Sequence, residues 1–354
     1  MGANAVEVAV LPGDGIGPEV TEATLAVLEA VAKRHALGLR FTSHRAGAMA
    51  YRDTGTDLSD EVFEACRRAD AILLGAMGWP GIRAADGTEL APQITLRQRL
   101  GLYAGIRPIR AIPGVPLALA DPRAAEIDLV ILRESTEGLF YSKDRGTVTE
   151  DWAEETLRLT RPVTERLARR AFILAGQRRH RVTLVDKANV FRAFAWMRDI
   201  FTTIAADHPD VRFDAAYVDA MALDLLRRPW EYDLLPTENM FGDILSDLGA
   251  GLIGGMGFAP SADVGDEYAV FQPSHGTAPD IAGRALANPT AMILSAAMML
   301  DWLGEAPMQE AAAELREAVD RAFAGGLRTP DIGGAHGTAE AARRVIAALG
   351  GKGS

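Results

Sequence analysis

Cysteine is almost missing from the chain: Cys66 is the only one in 354 residues. An intramolecular disulfide and a cysteine-built zinc site are therefore excluded. Basic residues are in deficit, with 37 Lys and Arg against 48 Asp and Glu and a formal charge of −11. That balance argues against a general nucleic-acid binder, although a local arginine cluster would still admit an anionic substrate. Long apolar runs are lacking too. The most apolar late stretch, 290-TAMILSAAMMLDWLG-304, is too short to cross a bilayer and carries Asp301. The opening stretch, 1-MGANAVEVAVLPGDG-15, has neither the basic start nor the long apolar centre of a secretory signal. These absences together predict a soluble cytoplasmic protein with no membrane and no nucleic-acid partner.

What the chain does have is enough hydrophobic sequence, 48%, for a large core, and a length that favours two lobes. Short apolar runs such as 6-VEVAVL-11, 71-AILLGA-76, 128-DLVILRES-135, 181-RVTLVD-186, 212-RFDAAYVD-219 and 232-YDLLPT-237 alternate with helical patterns, the first over 19–34. This alternation predicts an α/β fold with mostly parallel strands flanked by helices. No linker divides the chain, so two lobes would require it to cross between them more than once.

Glycines cluster at 12-PGDGIGPE-19, but the spacing of Gly13, Gly15 and Gly17 is neither the Rossmann fingerprint nor a Walker loop. It reads as a tight strand-to-helix turn. Arg97, Arg107 and Arg133 are candidates for a carboxylate clamp, because a guanidinium fork binds carboxylates bidentately. Arg133 ends a strongly apolar strand, where a charge needs a partner. Lys187 follows a strand between Asp186 and Asn189, and could serve as a general base or simply as a surface lysine.

Asp243 and Asp247 lie four apart in 237-TENMFGDILSDLGAG-251, on one helical face amid apolar neighbours. With Asp219 they make a set of hard oxygen ligands suited to Mg²⁺ or Mn²⁺. Alone, the pair could equally be two acids favoured by a helix dipole. The segment 271-FQPSHGTAPDIAGRALANP-289 is dense in Gly, Pro and Ala and predicts a long, ordered, functional loop.

Taken in order, PGDGIGPE, LRQRLGLYAGIRP, RESTEG, VDKANV, TENMFGDILSD and HGTAPDIAGRALANPTAMILSAAMML span nearly the whole chain. This set resembles the isocitrate/isopropylmalate dehydrogenases, the β-decarboxylating 2-hydroxyacid dehydrogenases. The resemblance implies a two-lobed isopropylmalate dehydrogenase-like α/β fold without a Rossmann motif. Residues 1–99 plus 252–354 would form a cofactor-binding lobe holding both ends, and 100–251 a central lobe with substrate, metal and dimer contacts. It implies a homodimer with shared active sites, and NAD-dependent oxidative decarboxylation of a 3-substituted (2R)-malate, a small hydroxy-dicarboxylic acid.

On the same resemblance, Arg97, Arg107 and Arg133 hold the malate portion. Asp243 and Asp247 bind the metal together with Asp219 of the other subunit, and Lys187 takes the hydroxyl proton. His275, Gly276, Thr277, Ala278, Asp280, Ile281 and Asn288 form the cofactor site. Asp280 specifies NAD, because a carboxylate accepts from ribose hydroxyls and repels a 2′-phosphate. The family tyrosine that protonates the product falls on Phe140, so Tyr141 would take that role through a local bulge. Gln93 and Ile94 stand where isopropylmalate enzymes carry leucines, and Gln272 where a glutamate is common. The loop 78-GWPG-81 is similar to one in tartrate and D-malate members. Of the substrates these features admit, 3-isopropylmalate is the first choice, ahead of tartrate, D-malate, isocitrate and homoisocitrate. A catalytically weak metabolite-binding homologue is the remote alternative.

Overall fold

A computed structural model describes residues 5–85, 87–143 and 145–351. Among them are strands β1 (Val6–Gly13), β2 (Leu39–Ser43), β3 (Ala71–Ala76), β4 (Ala104–Arg110), β5 (Asp128–Glu134), β6 (Thr147–Val148), β7 (Ala153–Glu154), β8 (Arg181–Asp186), β9 (Arg212–Tyr217), β10 (Leu234–Thr237), β11 (Pro260–Val264) and β12 (Ala269–Pro273). The helices are α1 (Gly17–Arg34), α2 (Ala48–Thr54), α3 (Asp60–Arg68), α4 (Pro92–Arg99), α5 (Arg161–Gly176), α6 (Arg192–Ala205), α7 (Val218–Arg227), α8 (Asn239–Leu252), α9 (Thr290–Leu303), α10 (Ala306–Ala324) and α11 (Thr338–Ala348).

Ten strands form one sheet in the order β2-β1-β3-β12-β11-β4-β5-β10-β8-β9, while β6 and β7 make a separate ribbon. The sheet is parallel except at its centre, where β12, β11, β4 and β5 pair antiparallel in succession. Strands from 1–99 plus 252–354 occupy one half of the sheet and strands from 100–251 the other. The halves join where Ala262 to Val264 pair with Ile106 to Ala104. Every residue of β3 is buried, and β5 is buried beyond Asp128, as expected of strands covered on both faces. Helix α9 is apolar nearly all round and lies inside the core against β11 and β12. No helix among the described residues is long and apolar enough to cross a membrane.

Two glycines set the geometry near the site. Gly15, at φ +59°, lets the β1–α1 turn touch the loop after β12: a Cβ there would meet the Thr277 carbonyl oxygen at 2.1 Å. The Ile16 amide donates to that same carbonyl at 2.9 Å. Gly242 lets α8 lie directly on β5, since a Cβ would sit 2.6 Å from Cγ of Arg133. Helix α8 starts with Glu238 as its cap, accepting from the Phe241 amide at 2.7 Å. One expectation shifts: Asp219 does not end a strand, because β9 stops at Tyr217 and Asp219 lies in the first turn of α7.

Candidate active site

A cavity of about 240 Å³ opens where β4, β5 and α8 meet the ends of β3, β12 and α4. Arg97, Arg107, Arg133, Asp243, Asp247 and His275 line it, with Gln93, Ile94 and Phe140. Residues separated by more than a hundred positions therefore converge, as three buried guanidiniums facing two carboxylates. Burying such charges is costly unless they are paired or await an anion.

Each arginine is held differently. Arg133 donates from Nε and Nη2 to Oδ1 of Asn239, at 2.9 and 2.7 Å, and from Nη1 to Asp243. Burial, then the like charge of Arg97, pushes Arg133 down to about 10 against the pull of Asp243. Arg107 donates to the Ala262 carbonyl at 2.9 Å and to Oδ1 of Asp263 at 3.0 Å. Arg97 bonds Oδ2 of Asp263 through Nε at 2.9 Å. Across the cavity, Asp247 is raised above its ordinary value by burial and then by Asp243. A carboxyl that resists ionising, with a second carboxylate one helical turn away, suits a cation. The fit is incomplete within one chain, since no cluster of three such ligands occurs among the described residues.

Lys187 and Asp219 are brought together elsewhere. The ammonium donates to Oδ1 of Asp219, which lowers that carboxyl below its ordinary range. Neither lines the arginine cavity. Phe140 does, stationed by a 3₁₀ turn at Leu139–Ser142, with its ring centroid 5.1 Å from the Arg133 guanidinium carbon. The segment leading into the turn is held by buried Glu134, which accepts from the Thr136 and Glu137 amides at 2.7 Å. Burial pushes Glu134 up to about 7. The bulge that would bring Tyr141 into the cavity is not present. Its ring instead lies 3.5 Å from the guanidinium carbon of Arg158, because the 3₁₀ turn presents alternate side chains to different surroundings.

A second cavity, about 320 Å³, adjoins the first at His275 and is lined by Ile16, Ile281, Asn288 and Asp331 among others. Nδ1 of His275 donates to the Gly276 carbonyl at 2.9 Å, which leaves Nε2 as a buried acceptor without a partner. Burial lowers this histidine's pKa, so the ring is neutral. Thr277 and Ala278 form the inner edge of the loop, with Ala278 strained at φ +39°. Asp280 is exposed, next to Ile281. Asp331, 3.0 Å from Nδ2 of Asn288, and Asp263 were not singled out from the sequence. The arginines that Asp263 binds and the Asn288 that meets Asp331 are remote in the chain, so no local spacing marks these two aspartates.

The profile of the isocitrate/isopropylmalate dehydrogenases matches residues 7–345. The chain belongs to this family. Among its curated relatives in the family, a 3-isopropylmalate dehydrogenase of Salinibacter ruber is 44% identical over 92% of this chain and 89% of its own. A 3-isopropylmalate/3-methylmalate dehydrogenase of Methanocaldococcus jannaschii is 42% identical, covering 96% and 97%. The crystal structure of isocitrate dehydrogenase from Methylococcus capsulatus superposes with a TM-score of 0.88 at 36% identity, over 97% of this chain and 99% of that one. In this isocitrate/isopropylmalate dehydrogenase family member, the two cavities share His275 in their linings.

Proposed function

We propose that the protein is an NAD- and divalent-cation-dependent dehydrogenase that oxidatively decarboxylates a 3-substituted (2R)-malate, with 3-isopropylmalate the first choice. The observation that carries this reading is the cavity in which Arg97, Arg107 and Arg133 face Asp243 and Asp247. Three arginines suit the carboxylates of the acid, and the acidic pair suits Mg²⁺ or Mn²⁺. Leu74, Met77, Ile94 and Phe140 line the same cavity and favour an uncharged substituent on C3. The names carried by the relatives support the same choice.

The active unit in this reading is a homodimer, in which Asp219 and Lys187 of a second copy complete each cavity. Leu223, Leu226 and Ile244 support it, being large apolar side chains exposed on α7, which carries Asp219, and on α8, which carries Asp243 and Asp247. The lone buried Cys66 and the acidic charge fit a cytoplasmic setting.

When bound, NAD supplies the hydride acceptor, and the cation supplies charge stabilisation for the ketone and for the electrons left by departing CO₂. The chain's own residues do the rest. Arg97, Arg107 and Arg133 orient the acid. Asp243 must exchange Arg133 for the cation, which frees Nη1 of Arg133 for a substrate carboxylate. Lys187, released from Asp219 and having given its ammonium proton to solvent, accepts the C2 hydroxyl proton as the neutral amine. Phe140 offers no proton at the cavity wall, so the proton for C3 is assigned to water. His275, Ile281 and Asn288 line the nucleotide cavity, with Gly276, Thr277 and Ala278 shaping its loop and Asp280 selecting NAD at the rim.

NADH formation with Mn²⁺ on 3-isopropylmalate, isocitrate, homoisocitrate, tartrate and D-malate tests the proposal. Turnover is expected to be fastest with 3-isopropylmalate and to stop with a chelator; chelator-resistant turnover, or none on any acid, overturns it. For the cofactor, Asp280→Lys with Ile281→Tyr should shift preference toward NADP by roughly a hundredfold, as repulsion at the 2′-phosphate is replaced by attraction. An unchanged NAD/NADP ratio would mean that another segment selects the cofactor.

A further inference from the structure

Asp263 on β11 is 1% exposed and lies behind the arginines, outside the lining of the cavity. Its two oxygens receive four side-chain donors. Oδ2 accepts from Nε of Arg97 at 2.9 Å and Nε2 of Gln272 at 3.1 Å. Oδ1 accepts from Nη2 of Arg107 at 3.0 Å and Oγ of Ser135 at 3.1 Å. Room for this cluster comes from Gly105, where a Cβ would stand 2.6 Å from Ser135 Oγ and 3.0 Å from Asp263 Oδ1. Burial alone would push the carboxyl up, but Arg107 and Arg97 outweigh it and hold Asp263 at about 2. It is thus a permanent anion at any working pH.

We propose that Asp263 is the positioning residue of the substrate clamp, aiming Arg97 and Arg107 from behind and, by its fixed negative charge, favouring acids with two carboxylates over acids with three. The inference rests on the functional reading above. Arg97 binds Asp263 through Nε alone, so among the described residues both of its terminal nitrogens stay available to a ligand. The three guanidiniums are matched in number by Asp243, Asp247 and Asp263, and no further cation lines the cavity among the described residues. Asp263 therefore lowers the positive potential of the clamp, and a third carboxylate on C3 would meet the apolar wall with no arginine of its own.

The test compares kcat/KM for isocitrate and for 3-isopropylmalate in Asp263→Asn and in wild type. Removing the charge should raise the isocitrate-to-isopropylmalate ratio about tenfold or more, because a third carboxylate gains most from a more positive clamp. The double variant Asp263→Asn, Gln272→Glu returns a carboxylate to the same cluster and should restore the ratio. Equal losses on both acids would reduce Asp263 to a structural role and overturn the proposal. If Asp263→Asn does not fold, Gln272→Glu alone adds a negative charge there and must lower the ratio; an unmoved ratio again overturns it. A wild-type enzyme silent on every acid would instead defeat the functional reading. Calorimetric binding of the two acids with Mn²⁺ would then still read the clamp, and equal affinities in wild type would reject the charge argument.

Discussion

Exchanging Lys187 for alanine is expected to lower turnover about 10³-fold, within the range for losing a positioned general base. Its side chain is only partly buried and Asp219 is its sole side-chain hydrogen-bond acceptor among the described residues, so the fold should survive. The unfolding temperature should stay near that of wild type, and KM for the acid should change far less than kcat. The sharper test addresses the proposed homodimer with shared sites. In that proposal, Lys187→Ala fails in one half of each active site and Asp247→Asn in the other. Coexpressed, the two inactive variants form mixed dimers in which one site carries both defects and the other carries none. Random pairing then restores about a quarter of wild-type activity. No recovery on mixing would mean that Lys187 and Asp247 act from one chain, or that Lys187 is not the base.

Asp247→Asn should weaken Mn²⁺ binding about a hundredfold or more, measured by calorimetry without substrate, since a carboxylate ligand is replaced by a neutral oxygen. Without the cation, the same change should not destabilise the protein. The folded-state pKa of Asp247 lies above its ordinary 3.8, because of burial and then Asp243. Ionising it therefore costs the folded state, and that cost develops as pH rises from the ordinary carboxylate range through the raised value. Asparagine removes the cost at neutral pH and makes no difference in acid, where the carboxyl is protonated in both states. Thermal melts at pH 7 with chelator should show the variant at or above wild type, and added Mn²⁺ should stabilise only wild type. A variant that melts lower with chelator, or binds Mn²⁺ unchanged, would remove Asp247 from the cation site.

Much of the site was legible because its parts obey local rules. Helical spacing placed Asp243 and Asp247 together on α8, and both line the cavity. The apolar run before Arg133 marked a buried strand ending in a charge that needed company, which Asn239 and Asp243 provide. The Gly- and Pro-rich segment after β12 is indeed without helix or strand until Thr290, although its first residues belong to β12. Counting along the chain puts Phe140 at the position of the family tyrosine, and Phe140 is the residue that lines the cavity beside Arg133. Sequence distance could not show whether a bulge brings Tyr141 there, because one step along a tight turn sends consecutive side chains to different environments.

Composition, periodicity and the ordered motifs by themselves determined the α/β class and the family, and they supplied the residues proposed to bind an acid and a cation. These are properties of short stretches, where spacing in sequence is spacing on a helix or strand. Only the tertiary structure decided which of those charges meet. Arg97 and Asp263 are 166 positions apart, joined because β11 enters the sheet antiparallel beside β4, and α4 ends against the same cluster. Lys187 and Asp219, by contrast, are paired on a different part of the chain from the arginines, which a list of charged residues does not reveal. The energy of a buried charge depends on its neighbours within a few ångströms, and those are chosen by strand order rather than by sequence separation.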